Sequence, residues 1–500
     1  MLLLACGVVL GFVPALRTVT LPPEVVLVLF LPALLYWEAL TTSLREVRRD
    51  LRGIVLMSTI LVILTAAAVA ATVHALGMPW GPAWVLGGAL APTDATAVAV
   101  LAHLLPRRNL TLLRTESLIN DGTALVVYGL AVGVTVGQEH LTIAHVTWLF
   151  LRSYLGGIAA GALVALVGAW LRRRIVDPLP HNVVIILIPF TAYLLAEEID
   201  ASGVLAVVTA GLIMTQLGPR VGTASARLLT NSTWRLVTFV LNATLFVLVG
   251  LQAQASIRNL TSFSVLRAVA VIVVVCVTLI VVRIAFQFAA VYTIRALDRR
   301  PQQRLRRVGH RARIVSGLAG FRGAVSLAAA LAVPERLGNG APFPDRDAIV
   351  FITFGVIVLG LTAQTLALPP IVRWAGLPQD AVFDTERHLA QTLAAQAALD
   401  ELPAAAARLG TDPRITDRLS AEYTKYLRIL DANAPNAPED DPALTYDRQY
   451  TALRLALLAR KRATVLELRD RQRIDDSVLR QIQAQLDIEE VRLSGNAPSE

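Results

Sequence analysis

The chain has 500 residues, is 55% hydrophobic and carries a formal net charge of +9, with a mean hydropathy of +0.59. That composition excludes a water-soluble enzyme or binding module, because a soluble chain of this length is far more polar. The apolar runs approach twenty residues each and lack the ten-residue alternation of a membrane barrel, so an all-α polytopic membrane protein is predicted. The only lysines are Lys425 and Lys461. The remaining positive charge is arginine, most of it in short connections between apolar runs, which membrane topology explains and which implies no nucleic-acid partner.

In chain order, the periodicity predicts about twelve spans, near 1–16, 22–43, 51–76, 82–105, 110–136, 145–171, 181–197, 201–217, 232–254, 263–294, 311–333 and 347–373. The first is short for a span and starts at Met1, without a basic leader or cleavage site. It reads as the tail of a helix whose start is missing rather than as a signal peptide. Arg45, Arg48, Arg49 and Arg52 follow the second span, Arg107, Arg108 and Arg114 the fourth, Arg172 to Arg174 the sixth, and Arg220 and Arg227 the eighth. A dense cluster from Arg295 to Arg313 follows the tenth. The alternate connections are poor in arginine or carry acids such as Glu139, Glu197, Glu198 and Asp200. This alternation predicts that both termini lie in the cytoplasm.

The fourth span reads Gly87-Gly88-Ala89-Leu90-Ala91-Pro92-Thr93-Asp94. Proline removes a backbone donor there, and an acid follows within two residues. A broken helix in mid-membrane is tolerated where it is buried or lines a cavity, and such breaks form ion sites in secondary transporters. A plain proline kink is the simpler alternative, and Asp94 argues against it.

The fifth span carries Glu116-Ser117-Leu118-Ile119-Asn120-Asp121. Glu116 and Asn120 are four residues apart, as are Ser117 and Asp121, so all four share one broad helical face. Charges at that depth are costly and mark functional sites by default.

The eleventh span contains Gly317-Leu318-Ala319-Gly320-Phe321-Arg322-Gly323-Ala324-Val325-Ser326. Its glycines allow unwinding and close approach. Arg322 stays charged and needs an acid or several carbonyls nearby. Glu116 and Asp94 are the candidates, and a structural Glu116–Arg322 pair is favoured over snorkelling of Arg322 to the cytoplasmic end. Two broken spans, each near the end of its half of the chain, predict an inverted-repeat transporter fold with two crossing discontinuous helices.

After residue 375 the character changes. Residues 376–500 are polar with helical periodicity, broken at Pro435, Pro438 and Glu439-Asp440-Asp441. A membrane domain over 1–375 and a helical cytoplasmic tail over 376–500 are predicted. Cys6 and Cys276 lie far apart inside apolar runs, with neither metal spacing nor a disulfide framework.

Taken together, these motifs resemble the cation:proton antiporter-1 family of sodium/proton exchangers. Pro-Thr-Asp, Glu-Ser-Leu-Ile-Asn-Asp and Gly-Phe-Arg-Gly-Ala-Val-Ser stand in the family's order, and Leu31-Pro32-Ala33-Leu34-Leu35-Tyr36-Trp37-Glu38 resembles its acidic third helix. The resemblance covers about residues 1–375 and implies inverted repeats, a homodimer in the lipid bilayer and a core domain moving against a dimerisation domain. It implies that Asp121 is the titrating ion-binding aspartate, preceded by Asn120. Thr93 and Ser117 would be polar ligands of Na⁺ beside it, and Asp94 the acid of the broken helix. Glu116 and Arg322 match a core ion pair, and Glu38 an acid linked to the ion site. Electrogenic relatives carry two adjacent aspartates where this chain has Asn120-Asp121, so electroneutral exchange is implied.

The expected function is Na⁺/H⁺ antiport across the plasma membrane for pH and sodium homeostasis, without enzymatic activity or cofactor. K⁺/H⁺ antiport is the nearer alternative. A passive cation channel and a membrane sensor are the alternatives of another class, but the sequence has neither a filter-like segment nor an output domain. His74, His103 and His140 lie near span ends, where a pH-sensing role is the alternative to the favoured reading as solvated surface histidines.

Overall fold

The computed structural model describes residues 2–13, 26–94, 107–137, 142–258, 264–297, 309–320, 322–376, 381–434 and 441–494. The second half of the fourth predicted span, His103, Glu139, His140, Phe321, most of the basic stretch before Arg313, and Pro435 to Asp440 lie outside these residues. The chain divides into two compact units, Met1–Pro378 and Gln379–Glu500.

The regular structure described in the first unit is helical, apart from an isolated bridge between Arg336 and Pro342. It comprises α1 (Leu2–Leu10), α2 (Leu31–Thr41), α3 (Leu44–Val55), α4 (Val62–Ala75), α5 (Trp80–Leu90), α6 (Arg107–Val136) and α7 (Ile143–Arg174). There follow α8 (Pro178–Glu198), α9 (Gly203–Leu217), α10 (Ala224–Arg258), α11 (Val265–Leu297), α12 (His310–Leu318), α13 (Ala324–Leu331) and α14 (Arg346–Ala375). Among the described residues, eight helices are long and apolar enough to cross a membrane. On α7, Leu155, Leu163, Leu166 and Trp170 are each more than half exposed, at 60%, 57%, 58% and 54%. Such an apolar surface is stable in lipid and not in water.

Two elements differ from the sequence expectation. Arg45 to Arg52 form helix α3 rather than a loop, because the segment has no proline and its leucine, glutamate and arginine residues favour helix. A π turn, Leu56–Leu61, joins α3 to α4, and another, Val26–Phe30, leads into α2. As expected, the eleventh span is broken into two short helices, α12 and α13. The two predicted breaks meet: Arg322 of the second donates to the Leu90 carbonyl, the last residue of α5.

Local capping fixes several boundaries. Asp177 accepts from the Leu179 N–H ahead of Pro178, starting α8, and Ser202 accepts from the Leu205 N–H, starting α9. Small residues bring helices together, as membrane packing requires. A Cβ at Gly161 of α7 would strike the Ala206 carbonyl of α9, and one at Gly7 of α1 would lie 3.0 Å from Gly250 Cα of α10. The second unit holds α15 (Ala381–Leu409), α16 (Pro413–Ala432), α17 (Pro442–Asp470) and α18 (Asp476–Ser494).

Candidate functional site

Helix α5 stops where Pro92 cannot donate and where its ring would crowd the Gly88 carbonyl. The backbone freed there is satisfied by α6. Ser117 Oγ donates to the Thr93 carbonyl at 2.5 Å, and Asn120 Nδ2 donates to Thr93 Oγ1 at 2.6 Å. Ser117, Asn120 and Asp121 are 3%, 1% and 3% exposed, so the polar stripe faces inward rather than lipid. Asn120 Oδ1 and Asp121 Oδ1 have no hydrogen-bond partner among the described residues.

Asp94 follows on the same strand of broken backbone. A Cβ at Gly323 would fall on the Asp94 carboxylate, so the acid lies directly against the residue that caps the N-terminus of α13. That end of a helix carries partial positive charge, which suits a carboxylate. Glu38 of α2 lines the same space. Together Glu38, Thr93, Asp94, Ser117 and Asp121 line a cavity of ≈ 40 Å³, which Asn242 and Ser326 also line. The space holds a water or a partly dehydrated monovalent cation. Its surface offers carboxylates, hydroxyls and an amide, and these hard oxygen donors suit Na⁺ or a proton rather than a soft metal.

Glu116 is excluded from this cavity by its partner, and the partner is not the one expected. Arg283 of α11 meets it end-on, with Nη1–Oε1 at 2.7 Å and Nη2–Oε2 at 2.9 Å, and both side chains are 4% exposed. Arg283 Nε also donates to the Ser316 carbonyl of α12 at 3.3 Å. Gly320 leaves room for it, since a Cβ there would lie 2.8 Å from Arg283 Cδ. The predicted Glu116–Arg322 pair is therefore corrected to Glu116–Arg283.

Arg322 instead caps carbonyls. Its Nη1 donates to Gly320 O at 2.5 Å and its Nε to Leu90 O at 3.2 Å. The C-terminal ends of α5 and α12 present unpaired carbonyls and partial negative charge, and one guanidinium serves both. Gln364 of α14 donates to Gly320 O as well, at 3.3 Å. Arg322 thus joins the two breaks rather than neutralising an acid.

Sequence reasoning passed over Arg283, Asn242 and Gln364. Arg283 had a signal, since it is an arginine inside the run Val281-Val282-Arg283-Ile284. The amides had none. A further link runs outward from the stripe: Thr123 Oγ1 donates to Ser58 O at 2.7 Å and bonds Tyr154 Oη. The π turn at Leu56–Leu61 frees that carbonyl. His74 bonds the Met78 carbonyl at 2.9 Å and stacks on Trp80 at the end of α4, apart from this site.

Comparison with known proteins points one way. A family model described as the transmembrane sodium/hydrogen exchanger matches residues 1–374. An uncharacterised Na⁺/H⁺ exchanger of Mycobacterium bovis is 45% identical over 501 residues, covering 100% of this chain and 92% of the relative. A sodium, potassium, lithium and rubidium/H⁺ antiporter of Bacillus subtilis is 32% identical over 380 residues, covering 73% of this chain and 56% of the relative. The solved structure of a sodium proton antiporter from Methanocaldococcus jannaschii superposes with a TM-score of 0.58 at 17% identity, over 75% of this chain and 92% of that one.

Proposed function

The chain belongs to the sodium/hydrogen exchanger family, and from that premise we propose that it exchanges Na⁺ for H⁺ electroneutrally, with Asp121 carrying either ion in turn. The family is one of membrane transporters rather than enzymes. The observation that supports Asp121 is the division of labour on α6. Glu116 is neutralised by Arg283, whereas Asp121 keeps an unpartnered oxygen toward the cavity.

A carboxylate in that setting is neutralised by a proton or by a cation, and one site cannot hold both. Alternating exposure of the cavity to the two sides then couples the two fluxes. Thr93 and Ser117 orient around the same space and supply neutral oxygens, and Asp94 and Glu38 hold its potential negative. Asn120 adds no charge, so each cycle moves one cation against one proton. The broken-helix carbonyls remain tied to Arg322, which keeps the two breaks together during the cycle.

The same reading has the protein as a homodimer in the plasma membrane, with both termini and the 376–500 tail in the cytoplasm. It serves pH and sodium homeostasis. The name of the Bacillus subtilis relative includes potassium, lithium and rubidium, which makes K⁺ the competing cargo. The test is proton flux in proteoliposomes driven by Na⁺, Li⁺, K⁺ or Rb⁺ gradients, under a valinomycin clamp. We expect Na⁺-driven flux that is insensitive to the clamp, and its complete loss in Asp121→Asn with the protein still inserted and folded. Normal flux from that variant overturns the assignment of Asp121, and clamp-sensitive flux overturns electroneutrality.

A further inference from the structure

Ser326 is the third residue of α13, whose N-cap is Gly323. A serine inside a helix ordinarily returns its hydroxyl to the carbonyl four residues back. For Ser326 that residue is Arg322, which lies in the break before the helix begins. The hydroxyl has no such bond. Ser326 is 1% exposed, and its Oγ has no hydrogen-bond partner among the described residues. A buried hydroxyl left unpaired costs about 1–3 kcal/mol. The cavity it lines also contains the unpartnered Oδ1 of Asp121.

The surrounding charge decides what kind of ligand pairs it. The N-terminus of α13 by itself favours an anion. Asp94 already lies against that end, and Glu38 and Asp121 line the same space, so an anion would meet three carboxylates. The ligand is a cation. From these placements we infer that Ser326 is a ligand of the transported cation, completing from the second broken helix a shell that Thr93 begins from the first. This rests on the reading of Asp121 as the ion-carrying group.

The hydroxyl suits both halves of the cycle. It offers lone pairs to a hard monovalent ion, and it rotates to donate its proton when no cation is present. Both discontinuous helices then touch the cargo, and neither acts only as a scaffold. The sequence motif contains Ser326, but spacing alone gives no reason to prefer its hydroxyl over any other helical serine.

The test measures Na⁺-dependent proton flux and direct ²²Na⁺ binding for the purified wild type, Ser326→Ala, Ser326→Cys and Ser326→Thr. Expected is a roughly tenfold rise in KM and Kd for Na⁺ in the alanine and cysteine variants, equal to about 1.4 kcal/mol. The maximal rate should stay within about twofold, since only a cation contact is lost and the proton-carrying group is intact. The threonine variant should restore binding because it keeps the oxygen. The cysteine variant guards against a folding artefact, since it preserves size and replaces a hard donor with a soft one. Unchanged KM and Kd in both the alanine and cysteine variants overturn the inference and leave the parent reading intact. Absence of cation-coupled flux and of binding in the wild type overturns the parent reading, and the inference falls with it.

Discussion

Two ion pairs of almost equal length sit in very different surroundings. Arg283 meets Glu116 at 2.7 Å inside the membrane unit, with both side chains 4% exposed. Arg454 meets Glu489 at 2.6 Å between α17 and α18, with the partners 36% and 31% exposed. The chemistry is identical and the consequences are not. In the membrane unit neither partner can turn to water, so each is held by the other, and Arg283 also by the Ser316 carbonyl. In the tail, water competes for both, and the pair adds orientation more than stability. The comparison explains why one helix can hold two acids with opposite roles: Glu116 is neutralised by a fixed charge, which leaves Asp121 as the acid whose charge can be exchanged.

The sharpest way to break this comparison is to remove one member of the buried pair. Arg283→Gln leaves Glu116 as an uncompensated buried charge, which costs about 3–5 kcal/mol in well-studied cases. We expect a large fall in the melting temperature of the detergent-solubilised protein and loss of exchange. Adding Glu116→Gln should recover most of the stability. A single variant that melts like the wild type would show that the pair is dispensable, and the contrast with the tail would dissolve.

A smaller effect is expected at the crossing of the two breaks. Gly323→Ala puts a methyl group on the Asp94 carboxylate, and the acid must swing away from the N-terminus of α13. The φ there is −147°, so no left-handed backbone conformation bars alanine. Apparent Na⁺ affinity should fall about tenfold, a change worth about 1.4 kcal/mol. The melting temperature should fall less than in Arg283→Gln. An unchanged affinity would detach Asp94 from the cation site.

How much of this was legible beforehand follows from the range of the forces involved. The stripe on α6 is a local periodicity, and four residues on one face are visible in any sequence. Pro92 and the glycines at 320 and 323 act on their own backbone, so both breaks could be placed. The choice of partner for Glu116 was not local. Arg322 and Arg283 are both capable of the pairing, and only the packing of α11 beside α6 and α12 selects Arg283. Arg322 was correctly expected to need an acid or carbonyls, and the carbonyls of Leu90 and Gly320 won because two helix ends converge on it. The π turn at Leu56–Leu61 has no proline or glycine to announce it. Arg45 to Arg49 fall between two apolar runs because hydropathy ends a run at charged residues, whereas charge does not stop a helix.

The smallest effect lies in the tail and tests the other side of the comparison. Glu489 is held below the usual carboxylate range, first by the hydrogen bond from Arg454 and then by Lys461 at 3.7 Å. Asp475, at the start of α18, is held low by the side chain and backbone N–H of Ser477, at 2.5 and 2.8 Å. Both carboxylates titrate lower in the folded tail than in an unfolded one. Their contribution is therefore fully present above the unfolded value near 4 and is lost as pH falls through the lower folded values. Hydrogen exchange of α17 and α18 in the full-length protein, corrected for its intrinsic pH dependence, should show protection that is flat from pH 7 to about 5. Protection should then weaken below about 4, where the unfolded carboxylates begin to bind protons ahead of the folded ones. Arg454→Gln should remove part of that acid-side loss and lower protection at pH 7 by the same small amount, since an exposed pair contributes little. Protection that drops sharply at pH 7 in this variant would mean that the tail pair behaves like the buried one, and that exposure is not what separates them.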